Sequence, residues 1–125
     1  MIEFNFFDSS SKYGVVKATV HKTGKLGFSS GAIKYMKLDE INYFKIATNN
    51  SDSLDKALYL IPSNNDDNDD KLFKVVKAGD YFYVFIKNVL REMDLDYKNE
   101  NIIYDIEKME NMGISFFKLE RREKK

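Results

Sequence analysis

The stretch that decides the fold is Ala18-Thr-Val-His-Lys-Thr-Gly-Lys-Leu-Gly-Phe28. Val16, Ala18 and Val20 alternate with polar residues, which is the period of a strand with one buried face. Gly24 follows at the point where a tight turn requires a positive φ, a conformation that glycine adopts readily. The stretch therefore predicts a β-hairpin.

The residues after this hairpin predict one helix and two strands. Ser29 or Ser30 is a suitable N-cap for a short helix, whose apolar face continues to Met36. Apolar runs at 43–46 and 57–61 have the length and composition of strands. The predicted unit is therefore β-β-α-β-β.

The second half of the chain repeats the order of the first. It predicts another hairpin over 73–83, then a helix, then strands at 103–106 and 114–118. The apolar stripe of this second helix consists of Phe85, Ile86, Val89, Leu90 and Met93. The residues that match between the halves are Gly24 with Gly79, Ile33 with Leu90, Met36 with Met93, Leu38 with Leu95, Asp39 with Asp96 and Ile46 with Ile106. We therefore expect an α+β fold in which two tandem ββαββ repeats pack about a pseudo-twofold axis. They would form a mixed sheet or barrel with two short helices.

The remaining segments lie at the ends and in the middle of a single predicted domain, 1–125. Ile2, Phe4 and Phe6 occupy alternate positions and predict an extra edge strand at the N terminus. The run from Asn64 to Asp70 contains no apolar residue and is the natural linker between the repeats. The predicted parts are 1–14 (N-terminal strand and loop), 15–62 (repeat 1), 63–71 (acidic linker), 72–120 (repeat 2) and 121–125 (basic tail).

Composition argues against an enzyme. The 125 residues include no cysteine and one histidine, which excludes a disulfide framework, a thiolate zinc site, a cysteine nucleophile and a two-histidine metal site within one chain. We expect no catalysis, no cofactor and no small-molecule substrate. The N terminus lacks the apolar block of a signal peptide, and nowhere do about 18 apolar residues run together. We therefore expect a cytoplasmic protein without a membrane partner.

The basic residues are grouped although the net charge is zero, with 20 basic and 20 acidic residues. A neutral chain has no global field that attracts polyanions, so a nucleic-acid surface would have to be a local patch. The candidate nucleic-acid-binding residues are Lys17, His21, Lys22 and Lys25 around the first turn, Lys34 and Lys37 on the helix after it, and Arg121 and Arg122 in the tail. An ordinary solvated face is the alternative interpretation of these lysines.

Aromatic residues are concentrated at Tyr81, Phe82, Tyr83 and Phe85. A sheet with exposed aromatic rings stacks single-stranded bases, so a single-strand binder that uses Tyr81 and Tyr83 is one hypothesis. A strand that is buried on both faces has the same composition. We expect these side chains to fill the core.

In the first unit, a strand is followed by Gly24-Lys25-Leu26-Gly27-Phe28, a helix over 32–36, Leu38 and two further strands. This arrangement resembles the swapped-hairpin fold of the AbrB and SpoVT-type transition-state regulators, with tandem copies as in MraZ-like proteins. The resemblance implies a DNA-binding surface on the β-hairpin. It assigns the basic hairpin residue of the family to Lys25 and one of its helix arginines to Lys34.

The chain also departs from the pattern of that family. Ser29 stands in place of a proline and Lys37 in place of a glycine, and the second unit has Asp80 where the first has Lys25. The expected function is that of a non-enzymatic, AbrB-like regulator that binds double-stranded DNA. The alternative is a protein-interaction or structural module, with a protein partner or a second copy of the chain and without nucleic-acid binding.

Overall fold

The computed structural model describes residues 2–4, 14–52, 54–64 and 71–122, and it is a mixed α+β structure. Its elements are β1 (Lys17–Val20), β2 (Lys25–Phe28), α1 (Ser30–Met36), a 3-10 turn (Leu38–Glu40), β3 (Tyr43–Ala47), β4 (Leu58–Ser63), β5 (Leu72–Lys74), β6 (Val76–Ala78), β7 (Tyr81–Phe85), α2 (Lys87–Glu92), β8 (Ile102–Asn111) and β9 (Ile114–Arg121). The first predicted hairpin is confirmed, and Gly24 in its turn has a φ of +90°.

The nine strands of the described residues form one sheet, in the order β5-β3-β4-β9-β8-β1-β2-β7-β6. The terminal strands β5 and β6 are consecutive in the chain, with only Val75 between them, so the sheet curves round and nearly closes into a barrel. Val75 donates its backbone N–H to the carbonyl of Asn42 at 2.9 Å, which holds this junction against the loop before β3.

All strand pairs in this sheet are antiparallel, so the expectation of a mixed sheet is wrong and the barrel alternative fits better. A parallel pair requires a crossover connection between its strands. The two helical connections join β2 to β3 and β7 to β8, but neither of these strand pairs is hydrogen-bonded together. The helices therefore connect strands that lie apart in the sheet.

The core is formed by the inward face of the strands and by one side of each helix. Along β1, Ala18 and Val20 are buried while the intervening residues are partly exposed, as the alternating pattern predicts. The ring centroid of Phe44 lies 6.5 Å from those of both Phe28 and Phe117. The largest fully buried side chains are Tyr104, Phe44, Leu26, Leu38, Leu58, Leu60, Ile86, Leu90, Ile102, Leu119 and Val84. Truncation of one such leucine to alanine typically costs about 2–5 kcal/mol of folding stability.

Helix α1 begins after Ser29, which confirms one of the two predicted N-caps. The Ser29 hydroxyl accepts hydrogen bonds from the N–H groups of Ala32 and Lys17, both at 3.1 Å, and donates to the carbonyl of Val15 at 2.6 Å. One side chain therefore joins the start of the helix to the start of β1. The helix ends at Lys37, whose φ of 55° is left-handed.

Helix α2 is shorter than the predicted stripe. Phe85, which the stripe placed on the helix, is the last residue of β7, and Ile86 stands at the N-cap position without a side-chain cap. Ile86 instead donates its N–H to the carbonyl of Gly24 at 2.9 Å, so the chain is held to the first hairpin before it turns into the helix. Asp94, just beyond the helix, has a φ of 54°. Within the described ranges, neither helix is long and apolar enough to cross a bilayer.

The predicted N-terminal edge strand is absent over residues 2–4. Ile2 and Phe4 belong to no strand and are 76% and 75% exposed. The terminal strands of the sheet, β5 and β6, have three residues each, so neither presents a long open edge. The rest of that segment, most of the acidic linker (65–70) and the last three residues of the basic tail lie outside the described residues.

Candidate nucleic-acid interface

The strand pair β2–β7 joins the two halves of the chain and creates the candidate site. Its register places Lys25 opposite Phe85, Leu26 opposite Val84 and Gly27 opposite Tyr83. Leu26 and Val84 are fully buried, so the residues on either side of them point outward. The lysine of the first hairpin and the aromatic residues of β7 therefore share one outer surface.

Three aromatic residues occupy alternate outward positions on β7, and we call Tyr81, Tyr83 and Phe85 the aromatic ladder. The ring centroids of Tyr81 and Tyr83 are 5.8 Å apart, and those of Tyr83 and Phe85 are 5.3 Å apart in an edge-to-face arrangement. Tyr81 is 36% exposed and Phe85 is 52% exposed. The expectation that all four aromatics fill the core is wrong, because only Phe82 is buried.

Lys25 lies over this ladder. Its Nζ is 4.5 Å from the ring centroid of Tyr83 and 5.5 Å from that of Phe85. The negative faces of aromatic rings attract a cation at this distance, by about 0.5–1 kcal/mol at an exposed site. The ammonium group therefore lies beside Phe85, the most exposed ring of the ladder.

Gly27 provides the space in which Tyr81, at one end of the ladder, is anchored. A Cβ atom at this position would collide with the hydroxyl of Tyr81 and would lie 2.7 Å from Nε2 of His21. Because Gly27 lacks that atom, the Tyr81 ring leans across β2 and its hydroxyl lies 2.6 Å from Nε2 of His21. Burial, followed by the neighbouring Tyr83 phenol, raises the pKa of Tyr81, so this phenol keeps its proton at neutral pH.

Several further cations lie in or beside the first hairpin. Lys22 is exposed in the β1–β2 turn, and Lys17 is partly exposed on β1. The Cβ of Lys87 packs against Gly24, at 2.8 Å from where a Cβ on that glycine would lie. Among the described residues, none of these lysines forms an ion pair, and neither does Lys25. The positive charges on this surface are therefore available to an anionic partner.

The other predicted cations lie elsewhere or are already paired. Lys34 and Lys37 are exposed on α1 and its C-cap, not on the strands that carry the ladder. Arg121 forms an ion pair with Glu100 at 2.7 Å. Arg122 makes two hydrogen bonds to Asp105, at 3.0 and 2.8 Å, and the same carboxylate raises the pKa of the guanidinium.

The site contains residues that the sequence did not suggest. Phe85 and Lys87 were not among the candidates, because their proximity to the first hairpin depends on the β2–β7 pairing. The alternation of Tyr81, Tyr83 and Phe85 is a period-two pattern and could have indicated an outward row. It was ambiguous because the intervening residues are apolar as well.

Two surface clefts lie near the loop before β4, with cavity volumes of about 780 and 540 Å³. Both are lined by Asp55, whose carboxylate accepts hydrogen bonds from the Tyr59 hydroxyl at 2.5 Å, the Ala57 N–H at 3.0 Å and the Asn49 amide at 3.2 Å. These bonds, with that from Tyr59 the strongest, lower the pKa of Asp55. The Asp55 carboxylate therefore has its hydrogen bonds within its own loop and β4. Its pKa is lowered, whereas a carboxylate that acts as a general base has a raised pKa. No cluster in the described ranges has the donors for a metal ion.

Comparison with known proteins yields no match among protein-family models, curated proteins or solved structures.

Proposed function

We propose that this chain is a non-enzymatic DNA-binding protein whose binding face is the outer surface of β1, β2 and β7. The observation that carries the proposal is the position of Lys25, whose ammonium lies over Tyr83 beside the exposed ring of Phe85. A nucleic acid offers both phosphates for the ammonium and bases for the rings. A surface that combines unpaired cations with exposed aromatics matches both parts of such a ligand.

The charges around the ladder support binding that is local and moderately sensitive to salt. The positive charges near the first hairpin are those of Lys17, Lys22, Lys25 and Lys87, none of which has an ion-pair partner in the part of the chain that the structure describes. Contacts to about four phosphates would give a slope of log K against log salt of roughly −3 to −4. The acidic residues of this surface oppose a larger footprint, because Asp80 lies in the β6–β7 turn and Asp105 lies opposite Lys17 in the sheet.

We also propose that the fold is a tandem duplication of the swapped-hairpin kind that the first unit resembles. The pattern of paired strands stays the same when each strand of the first half is exchanged with its counterpart in the second half. The counterparts are β1 with β5 and β6, β2 with β7, β3 with β8, and β4 with β9. This agreement supports a pseudo-twofold arrangement. Lys37 lies between Met36 and Leu38, and Asp94 lies between the matching Met93 and Leu95. Both have left-handed φ values, of 55° and 54°. The axis of such an arrangement would pass through the β2–β7 and β4–β9 pairs, so the ladder would lie beside it.

A protein-interaction role is the second candidate, and one observation favours it. The tip of the β8–β9 hairpin exposes Met112 to 93% and Ile114 to 55%. Tyr59 and Phe116 lie next to them with ring centroids 6.0 Å apart, so the apolar surface continues from the tip onto β4 and β9. Adjacent exposed apolar side chains of this kind commonly mark contacts with other proteins.

Fluorescence anisotropy with labelled DNA, at about 50 and 200 mM salt, tests the DNA-binding proposal. We expect saturable binding that weakens with salt and weakens further in Lys25→Glu. Lys98→Glu is the matched control, because it makes the same charge change on an exposed loop between α2 and β8. Absence of binding at low salt, or equal weakening by both substitutions, would contradict the proposed face.

Light scattering across a range of protein concentrations tests the second candidate. Self-association that is abolished by Met112→Ser, together with no response to DNA, would transfer the function to the hairpin tip. A monomer that binds DNA would leave the tip without a demonstrated role.

A further inference from the structure

We propose that the aromatic ladder binds single-stranded DNA, with unpaired bases stacked on Phe85 and Tyr81. This inference rests on the proposed function, since it specifies which form of DNA the face receives. The resemblance to swapped-hairpin regulators implies duplex DNA instead. The geometry of the ladder is what separates the two forms.

The breadth of the sheet around the ladder argues against insertion into a duplex groove. β7, which carries the ladder, is flanked by β2 and β6 and is the fourth strand of the run β8-β1-β2-β7-β6. With strands about 4.8 Å apart, this run spans about 19 Å, whereas the major groove is about 12 Å wide. Rings on a strand that is flanked on both sides by other strands do not reach base edges inside a duplex, but the bases of a single strand can be laid on them.

The three rings of the ladder are not equivalent. Tyr83 packs between the other two rings and also has the Lys25 ammonium above it, so its faces are already in contact with protein. Phe85 and Tyr81 stand at the ends and are the more exposed. Tyr83 is therefore a positioning residue, and the end rings are the surfaces that remain for bases.

Each end ring has a group that fixes it before any ligand arrives. Tyr81 is held by His21 across Gly27, and Phe85 packs against Tyr83 while Lys25 lies 5.5 Å from its centroid. A base on Phe85 would bring its own phosphate toward that ammonium. Because bases of every kind have a π face and the ladder offers few hydrogen-bonding groups, binding would depend little on sequence.

The test measures two probes against the full chain at about 50 mM salt: labelled oligo-dT of roughly 15 nucleotides, and a labelled duplex of mixed sequence and equal length. We expect tighter binding of oligo-dT than of the duplex. Phe85→Ala should weaken oligo-dT binding roughly 5- to 100-fold, the range typical of one stacked base. Leu54→Ala is the control, since it truncates an exposed apolar side chain in the loop before β4, away from the ladder.

A second variant reports stacking directly. The chain contains no tryptophan, so Phe85→Trp introduces a single indole at the end of the ladder. We expect Phe85→Trp to retain binding, with quenching of the indole fluorescence by oligo-dT and little change with the duplex. Phe85→Leu keeps an apolar side chain without a π face and should behave like Phe85→Ala.

The outcomes separate this inference from the proposed function. Duplex binding equal to or tighter than oligo-dT binding, with no effect of Phe85→Ala, would overturn the single-strand inference and leave DNA binding intact. Failure of both probes to bind at low salt would overturn both proposals.

Discussion

The hydroxyl oxygen of Tyr81 lies 2.6 Å from Nε2 of His21, although the two residues are 60 positions apart in the chain. The contact passes over Gly27, whose φ is not positive, so this glycine is required for space and not for backbone conformation. Three strands are thus tied together on the outer surface by one phenol. The contact also sets the direction in which the Tyr81 ring faces.

Gly27→Ala should therefore disturb Tyr81 more than it disturbs the backbone. The added methyl group collides with the phenol, so we expect loss of the hydrogen bond to His21 and about 1 kcal/mol of folding stability, measured by urea denaturation. The control is a double-mutant cycle with Tyr81→Ala. If the collision is the cause, Gly27→Ala should cost much less when Tyr81 is absent. Equal cost in both backgrounds would mean that the strand itself is perturbed.

Ser29→Ala should destabilise the protein more than Ser30→Ala, its neighbour. The Ser29 hydroxyl makes three hydrogen bonds that connect α1 with β1, so its removal should cost roughly 1–2 kcal/mol. Ser30 is the exposed first residue of the helix, where alanine is well tolerated. Thermal and urea denaturation of the two variants provide the comparison. Similar stabilities would show that the cap contributes little to the fold.

The sequence predicted those parts of the fold that depend on local chemistry. Alternation in β1, the positive φ at Gly24 and the cap at Ser29 follow from neighbouring residues, and all are present. The near closure of the sheet at Val75 was one of two predicted outcomes, since both a mixed sheet and a barrel were consistent with the pattern. The outcome depended on which distant strands pair, and no local pattern determines that.

The candidate site shows the same division. Lys25 was correctly placed beside the first turn, but its partners Tyr83 and Phe85 come from the other half of the chain. Both faces of β7 are apolar in sequence, so alternation could not tell which face is covered. Arg122 looked like a free cation of the tail for a related reason, because Asp105 approaches it only through the β8–β9 pairing.

Asp55 should stabilise the loop before β4 in a pH-dependent way. Its pKa is lowered, mainly by the hydrogen bond from Tyr59, so the ionised form is favoured in the folded state. The stabilisation is complete above the pKa that the Asp55 carboxyl has in the unfolded chain, which is about 4. It is lost as the pH falls through the lower pKa that this carboxyl has in the folded protein. The stability gap between the wild type and Asp55→Asn should therefore be largest near neutral pH and should close in acid.

Tyr59→Phe and Glu107→Gln sharpen this prediction. The first removes the main hydrogen bond, so NMR titration of the Asp55 carboxyl should give a pKa closer to the ordinary value. The second removes an exposed carboxylate on β8 and is the control for a general charge effect. A stability gap that stays constant between neutral pH and about pH 3 would contradict the assigned role of Asp55.

Arg122 should contribute little to DNA binding in the wild-type protein, although the sequence suggested it as a phosphate contact. Its guanidinium is already hydrogen-bonded to Asp105 through two nitrogens, and a phosphate would have to compete with that carboxylate. Arg122→Ala should thus change the DNA dissociation constant by less than about twofold, whereas Lys25→Ala, which also removes one positive charge, should weaken binding several-fold. Asp105→Asn is the decisive variant, because it frees the guanidinium beside Lys17 and should tighten binding at low salt. If Arg122→Ala weakens binding as much as Lys25→Ala, the phosphate path extends from the ladder across β1 and β8 to the end of β9.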